Sequence, residues 1–319
     1  MKILKKIGKI LLAVFIVIAA ALLFCFVNHR LRLTSEAELL DVIGNPVTVN
    51  GHSINVYTEG NGDTTLVFMS GSGTCSPVLD FKSLYSLLSD KYKIVVVEKS
   101  GYGFSEISDS PRDIDTILDE TRQALALSGL EAPYTLCPHS MSGIEALYWA
   151  QKYPDEISGI IGLDMSVPKH YENMEINGFL LRAGHTAAEL GITRLIPSIA
   201  ESDAIKYGTL TEREKEIYKA VFYTRTLTPP MIAEAEAIKA SAEKVAENGA
   251  PQVPIIMFLS DGSGGTGFSK EEWRGISEEY ASEISGSKYI ELDCPHYVHD
   301  HEYEKIAEEI KSFLSENNT

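Results

Sequence analysis

A serine hydroxyl is a poor nucleophile at neutral pH until a base takes its proton and a carboxylate orients that base. In this chain of 319 residues, Ser140 stands where such chemistry can be built. The run Tyr134-Thr-Leu-Cys137 is apolar and β-type, stops at Pro138, and gives way at once to Ser140 and a helical pattern from about Ser142. A strand, a sharp turn carrying a serine and then a helix lift one hydroxyl above the end of a sheet. The helix N-terminus behind it offers unpaired N–H groups and positive potential to a developing oxyanion. The usual form of such an elbow is Gly-x-Ser-x-Gly, whereas here it reads Pro138-His139-Ser140-Met141-Ser142, with Gly143 one place later. Ser142 is small enough for a tight turn, but Pro138 fixes φ and removes an N–H. An ordinary strand–loop–helix with a capping serine would use the same letters, so the elements around the turn must discriminate.

Those elements alternate. Val47–His52 and Ser53–Thr58 alternate apolar and polar residues around Asn50-Gly51, a hairpin signal. Four continuous apolar runs follow: Thr65–Met69, Tyr92–Val97, Tyr134–Cys137 and Ile157–Leu163. Continuous rather than alternating apolarity marks strands covered on both faces. Helical spacing fills the gaps, at about Pro77–Leu88, Asp113–Leu127 and Ser142–Lys152. The expected fold is therefore α/β, a mostly parallel sheet with helices on both faces and an antiparallel hairpin at its start. The alternation breaks over residues 168–252, which read as helices only, near Ile176–Leu190, Thr211–Leu227 and Pro229–Glu247. Eighty residues of helix between two strands make a cap. Strands resume at Val253–Leu259 and Lys288–Leu292, with a helix opened by the capping box Ser269-Lys-Glu-Glu272 between them and an amphipathic helix, Glu302–Leu314, at the end. The expected divisions are residues 1–32 as an anchor with its flank, 33–167 as the first part of the core, 168–252 as the cap and 253–319 as the rest of the core, with a linker over 33–45.

The N-terminus is a separate matter. Lys2, Lys5, Lys6 and Lys9 precede Ile10–Val27, eighteen residues without a charge, enough to span a bilayer. Phe24-Cys-Phe-Val27 offers no small-residue cleavage site, which favours an uncleaved anchor over a removed signal peptide. Four lysines before the span and only Arg30 and Arg32 after it place the N-terminus in the cytoplasm and the rest outside, a single-pass protein of the cell membrane. All 45 acidic residues and 22 of the 28 basic ones lie after residue 32, a balance of −23. Such a surface repels nucleic acid and anionic headgroups, so no nucleic-acid partner is expected. Cys25, Cys75, Cys137 and Cys294 have no paired spacing, so neither a disulfide framework nor a zinc site is visible. No phosphate loop appears either, since Gly262–Gly265 lacks the Lys-Ser/Thr that would follow one. No metal or other cofactor is expected.

Four stretches together resemble one family. Met69-Ser-Gly-Ser-Gly73, Gly101-Tyr-Gly-Phe-Ser105, the elbow at Ser140, and His296 before the terminal helix fall at strand ends in the order found in α/β-hydrolases with a serine nucleophile and a helical cap. The resemblance covers about residues 46–316. It implies that Ser140 is the nucleophile and His296 its base, with His139 supporting the turn. His299 and His301, at the start of the last helix, read as surface or packing residues. For the acid it leaves two candidates. Asp261 follows the strand after the cap, the commoner place, although it stands seven rather than nine residues after Pro254; Asp164 ends the strand after the elbow helix, where some members keep theirs. Asp261 ranks slightly ahead, with Asp164 as its rival. The oxyanion donors implied are the backbone N–H groups of Met141 and of Ser72, or else Gly73.

The activity that follows is hydrolysis of an ester or amide bond in a small substrate through an acyl-enzyme, an esterase first and a peptidase of the proline iminopeptidase type second. Acidic residues of the cap, Glu175, Glu189, Glu201, Glu234 and Glu236, would serve the second by holding a substrate amine. The altered elbow keeps a third reading open, a fold relative that has lost catalysis and acts as a binding module. Ser140 in place of an aspartate argues against dehalogenation and epoxide opening.

Overall fold

The computed structural model describes residues 2–317. Helix α1, Lys2–Glu36, stands out from the body with its apolar side chains exposed. It is one helix long and apolar enough to cross a membrane by length and composition. The strands are β1 (Asn45–Val49), β2 (His52–Glu59), β3 (Thr65–Met69), β4 (Lys93–Glu98), β5 (Tyr134–Pro138), β6 (Ile157–Leu163), β7 (Ile255–Leu259) and β8 (Lys288–Glu291). They form one sheet in the order β1-β2-β4-β3-β5-β6-β7-β8. β2 runs antiparallel to β1 and β4, and every other pair is parallel. The expected α/β-hydrolase fold, with its starting hairpin, is the observed one.

The reason is burial. Along β3, Val67 and Met69 enter one apolar core, which they share with Leu136, Ile160 and Met257, while Leu66 and Phe68 enter the other with Ile94, Val96 and Phe258. Both faces of each central strand are therefore apolar, as their continuous runs require. The helices of the first half are α2 (Pro77–Asp80), α3 (Lys82–Tyr85), α4 (Ile114–Leu127) and α5 (Ser142–Lys152). The single helix expected over Pro77–Leu88 is thus two short ones. Those of the second half are α6 (Gly178–Glu189), α7 (Asp203–Lys206), α8 (Glu212–Arg225), α9 (Pro229–Glu247), α10 (Lys270–Ser282), α11 (Val298–His301) and α12 (Tyr303–Asn317). Among the described residues no strand lies between β6 and β7, so the cap is helical. The capping box at Ser269 and Glu272 opens α10.

The linker expected over 33–45 begins later than its composition suggests. α1 continues to Glu36 because the guanidinium of Arg194, in the cap, takes both Glu36 oxygens at 2.8 and 2.6 Å. All four cysteines are free thiols.

Glu98, at the end of β4, braces the Gly101-Tyr-Gly103 turn. Its carboxylate accepts from the Phe104 N–H at 2.7 Å and the Asn55 side chain at 2.9 Å. Burial pushes its pKa up from 4.5 to about 7, against the pull of those donors. Between about pH 4.5 and 7 the folded chain keeps a proton that the unfolded chain has released, so stability falls as pH rises through this window and levels off above it. A shift of this size is worth about 3 kcal/mol. Urea unfolding in detergent micelles at pH 5 and pH 8 is expected to show the drop, and Glu98→Gln to remove most of it.

Candidate active site

β5 delivers Ser140, and the elbow is held by groups that replace the missing glycines. Ser140 has φ of +54°, a left-handed conformation uncommon outside glycine. Such strain persists only where the surroundings over-determine it. Here the Ser142 hydroxyl donates to the Met69 carbonyl at 2.6 Å, and the Ser166 N–H donates to the Ser140 carbonyl at 2.8 Å. The His139 N–H donates to Met69 at 2.9 Å, toward β3. By alternation the N–H that Pro138 lacks would have pointed to β6. The β6 ladder ends at the Leu136–Ile160 pair and resumes only as a bridge between His139 and Leu163, so the proline falls in its gap. Gly143 meets a steric demand: a side-chain carbon there would clash with the Ser166 carbonyl and come to 3.0 Å from Met165, so its absence lets α5 lie against the chain that follows β6.

His296 follows β8 in a loop and is buried at 5% exposure. Its Nδ1 lies 2.5 Å from Asp164 Oδ2. Asp164 sits at the end of β6, fully buried, with φ of +51°. Its other oxygen accepts from the Ser260 N–H at 2.7 Å and the Trp273 indole at 2.8 Å. Of the two aspartates, then, the structure brings Asp164 and not Asp261 to His296. Asp261 turns back on its own loop, where its carboxylate accepts from the Ser263 N–H at 2.9 Å and stays partly exposed. Its place after the strand that follows the cap ranked it first, but the chain turns at Gly262, at φ +77°, and the carboxylate is taken up within that loop by the Ser263 N–H.

Trp273, on α10, and Ser260, at the end of β7, are site residues that no motif indicated. Their only sequence signal is position after a strand or within a capped helix.

His139 packs its side chain against the loop that carries His296. Its ring is tilted against His296 at 4.6 Å and Tyr297 at 4.8 Å and meets His299 edge-on at 4.7 Å, and its Nε2 is 3.2 Å from the His296 carbonyl. Burial, and then the neighbouring His296 and His299, hold its pKa well below the usual imidazole value, so it packs as a neutral ring.

Ser140, His296, Met141 and Ser72 line one cavity of about 130 Å³. Its walls include Tyr171, Met174, Ile176, Ala235 and Ile238 from the chain between β6 and β7. Gly73, the alternative to Ser72, is not among the lining residues.

Among the described residues one buried group, Asp80, His299 and Asp300, brings its potential ligand atoms within 4.8 Å of one another. His299 and Asp80 are already hydrogen-bonded at 3.1 Å. Burial, and then Asp80 and Asp203, push the Asp300 carboxyl well above the usual range, which favours a proton there. His299 is therefore a buried packing residue, not a surface one.

The comparisons with known proteins bear on the fold and the family. Residues 64–185 match the model of the alpha/beta hydrolase fold family. The uncharacterized protein YbdG of Bacillus subtilis is 38% identical over 320 residues, spanning 97% of this chain and 98% of that one. The chain belongs to the alpha/beta hydrolase fold family. Among solved structures, an enol-lactonase from Burkholderia xenovorans superposes with a TM-score of 0.63 at 18% identity, over 85% of this chain and all of that one. A haloalkane dehalogenase from Bradyrhizobium elkanii gives 0.65 at 16% identity, over 86% and 96%. At such identities these two share the fold with this chain and no more.

Proposed function

We propose that the chain is a membrane-anchored serine hydrolase that cleaves a carboxylic ester through an acyl-enzyme on Ser140. The observation that carries this is that the strained Ser140 and the His296–Asp164 pair open into one small cavity. The Ser140 oxygen attacks the carbonyl carbon, and its proton passes to His296 Nε2. The carbonyl electrons go to the oxygen, which the N–H groups of Met141 and Ser72 receive. Asp164 keeps the Nδ1 proton in place and stabilises the imidazolium. Collapse of this adduct expels the alcohol with the proton returned by His296, and water then releases the acid by the same route. The nearby dehalogenase structure does not supply the chemistry, since a serine stands where an aspartate nucleophile would be needed.

The cap favours an ester over a peptide amine. Glu234 is paired with Lys99, Glu236 with Arg182 and Glu201 with Lys219, and none of the five acidic cap residues lines the cavity. The division into anchor, core and cap belongs to the same proposal, as do an uncleaved α1, a cytoplasmic N-terminus and a catalytic domain outside. Support for an uncleaved helix comes from its last turns, where Cys25 and His29 are buried.

A fluorophosphonate probe added to the full chain in detergent micelles is expected to label Ser140 and no other residue, as read by peptide mass spectrometry. Folded protein that takes no label overturns the proposal in favour of a binding module.

A further inference from the structure

The cap carries large apolar side chains in water, and their placement relative to α1 is specific. The segment Leu195-Ile-Pro-Ser-Ile199 is exposed throughout, with Leu195 at 63%, Ile196 at 56% and Ile199 at 49%. This segment follows directly on the piece of the cap that docks on α1. Gly191 lies against Cys25 and His29, where an added methyl would stand 2.8 Å from the Cys25 carbonyl. Arg194 donates to His29 at 2.9 Å, pairs with Glu36, and stacks on Tyr223 at 3.9 Å. Cys25 belongs to the uncharged stretch that ends at Val27. At 1.5 Å of rise per residue, the Gly191 contact lies within about 3 Å of the end of that stretch. Whatever surrounds Ile10–Val27 therefore reaches the level of the cap.

A second exposed apolar group sits at the other end of α6. Phe179 is 78% and Leu180 62% exposed, and Ile176, just before the helix, lines the Ser140 cavity. The twelve residues of α6 run for about 18 Å between that rim and Gly191. One helix thus links the cavity mouth to the membrane helix, with apolar side chains exposed near both ends. Exposed apolar patches of this kind mark a contact surface. Continuity with a bilayer-length apolar helix selects the bilayer over a protein partner.

We infer that the cap rests on the bilayer through Leu195–Ile199 and the start of α6, and that the substrate is an uncharged or zwitterionic acyl ester drawn from the membrane. This rests on the hydrolase and anchor readings above. The charge supports the choice of lipid, because a balance of −23 beyond residue 32 disfavours anionic headgroups. Attachment is by apolar insertion, as for interfacial helices, and not by basic residues.

The test uses the full chain in phosphatidylcholine vesicles. Single cysteines at Ile196→Cys, Phe179→Cys and Tyr289→Cys, the last an exposed control on β8, carry an environment-sensitive NBD probe. Blue-shifted emission, quenched by brominated acyl chains, is expected at 196 and 179 and not at 289. Water-like emission at 196 and 179 overturns the docking surface whether or not the protein is an enzyme. For the substrate, the triple variant Leu195→Ser/Ile196→Ser/Ile199→Ser is expected to cleave vesicle-embedded diacylglycerol about tenfold more slowly, with its rate on a water-soluble short-chain ester unchanged. Equal rates on diacylglycerol, or equal losses on both esters, overturn the substrate assignment. No turnover of either ester by the unaltered chain is the failure of the hydrolase reading, and the substrate assignment falls with it.

Discussion

Asp164→Asn is expected to lower kcat on a water-soluble short-chain ester by about 10³–10⁴-fold with little change in KM, the size of effect seen when an imidazole is held in the wrong tautomer. The two oxygens of Asp164 have different partners. Oδ1 takes the Ser260 N–H and the Trp273 indole, both donors, while Oδ2 faces His296 Nδ1. In the asparagine variant those two donors hold the amide oxygen at the Oδ1 position. The amide NH₂ must then face His296, so Nδ1 becomes the acceptor and the ring proton moves to Nε2. An imidazole protonated there cannot accept the Ser140 proton. Asp261→Asn tests the rival. Its hydrogen bonds come from Ser263, whose N–H needs only an oxygen, which asparagine keeps, so kcat is expected to stay within about twofold, as for a surface change away from special features. Steady-state kinetics on both variants decide the matter: a large loss in Asp261→Asn with a normal Asp164→Asn would reverse the acid assignment.

The same pair of aspartates shows what could be read from the chain and what could not. The strands were legible because their residues are apolar on both faces, and the helical cap because no such run interrupts residues 168–252. Ser140 and His296 were legible from their places between elements. Choosing between Asp164 and Asp261 required knowing where each carboxylate points. That depends on a φ of +51° at Asp164 and a turn at Gly262, which residue types do not display. Trp273 meets Asp164 across 109 residues, a contact made only by the sheet order. The departure at the elbow had a local answer that letters alone do not reveal: Ser142 uses its hydroxyl to tie the turn to β3. The extension of α1 to Glu36 depends likewise on Arg194, 158 residues away.

The second large effect falls on stability. Lys99, just after β4, is buried and is paired with Glu234 of α9, and it lies 3.8 Å from Glu145 of α5. Glu234 also accepts from the Tyr102 hydroxyl at 2.9 Å, and Glu145 from the Thr121 hydroxyl at 3.1 Å. One ammonium therefore joins the cap helix, the elbow helix and the turn after β4. Burial already pushes the Glu145 pKa up in spite of Lys99, and Glu234 adds to the rise. Lys99→Met leaves two buried carboxylates without their nearest cation, and breaking a buried pair in this way costs about 3–5 kcal/mol. The expected result is a lower urea midpoint with an unchanged slope. Without the cation, the folded-state pKa of Glu145, already raised by burial, rises further above its unfolded value. The folded variant then binds protons that the unfolded chain has lost, so the deficit grows as pH rises above about 4.5 and shrinks at acid pH. Adding Glu234→Leu to the variant removes one orphaned charge and is expected to recover part of the loss, a coupling that a double-mutant cycle reads directly. A cost of less than about 1 kcal/mol for Lys99→Met would place the network in the range of solvated surface pairs. The seating of the cap over Ser140 would then rest on its other contacts, chiefly Ile238 and Ala242 of α9 in the core shared with α5 and the hydrogen bonds of Arg225 and Thr228 to the Gly103 and Gly101 carbonyls.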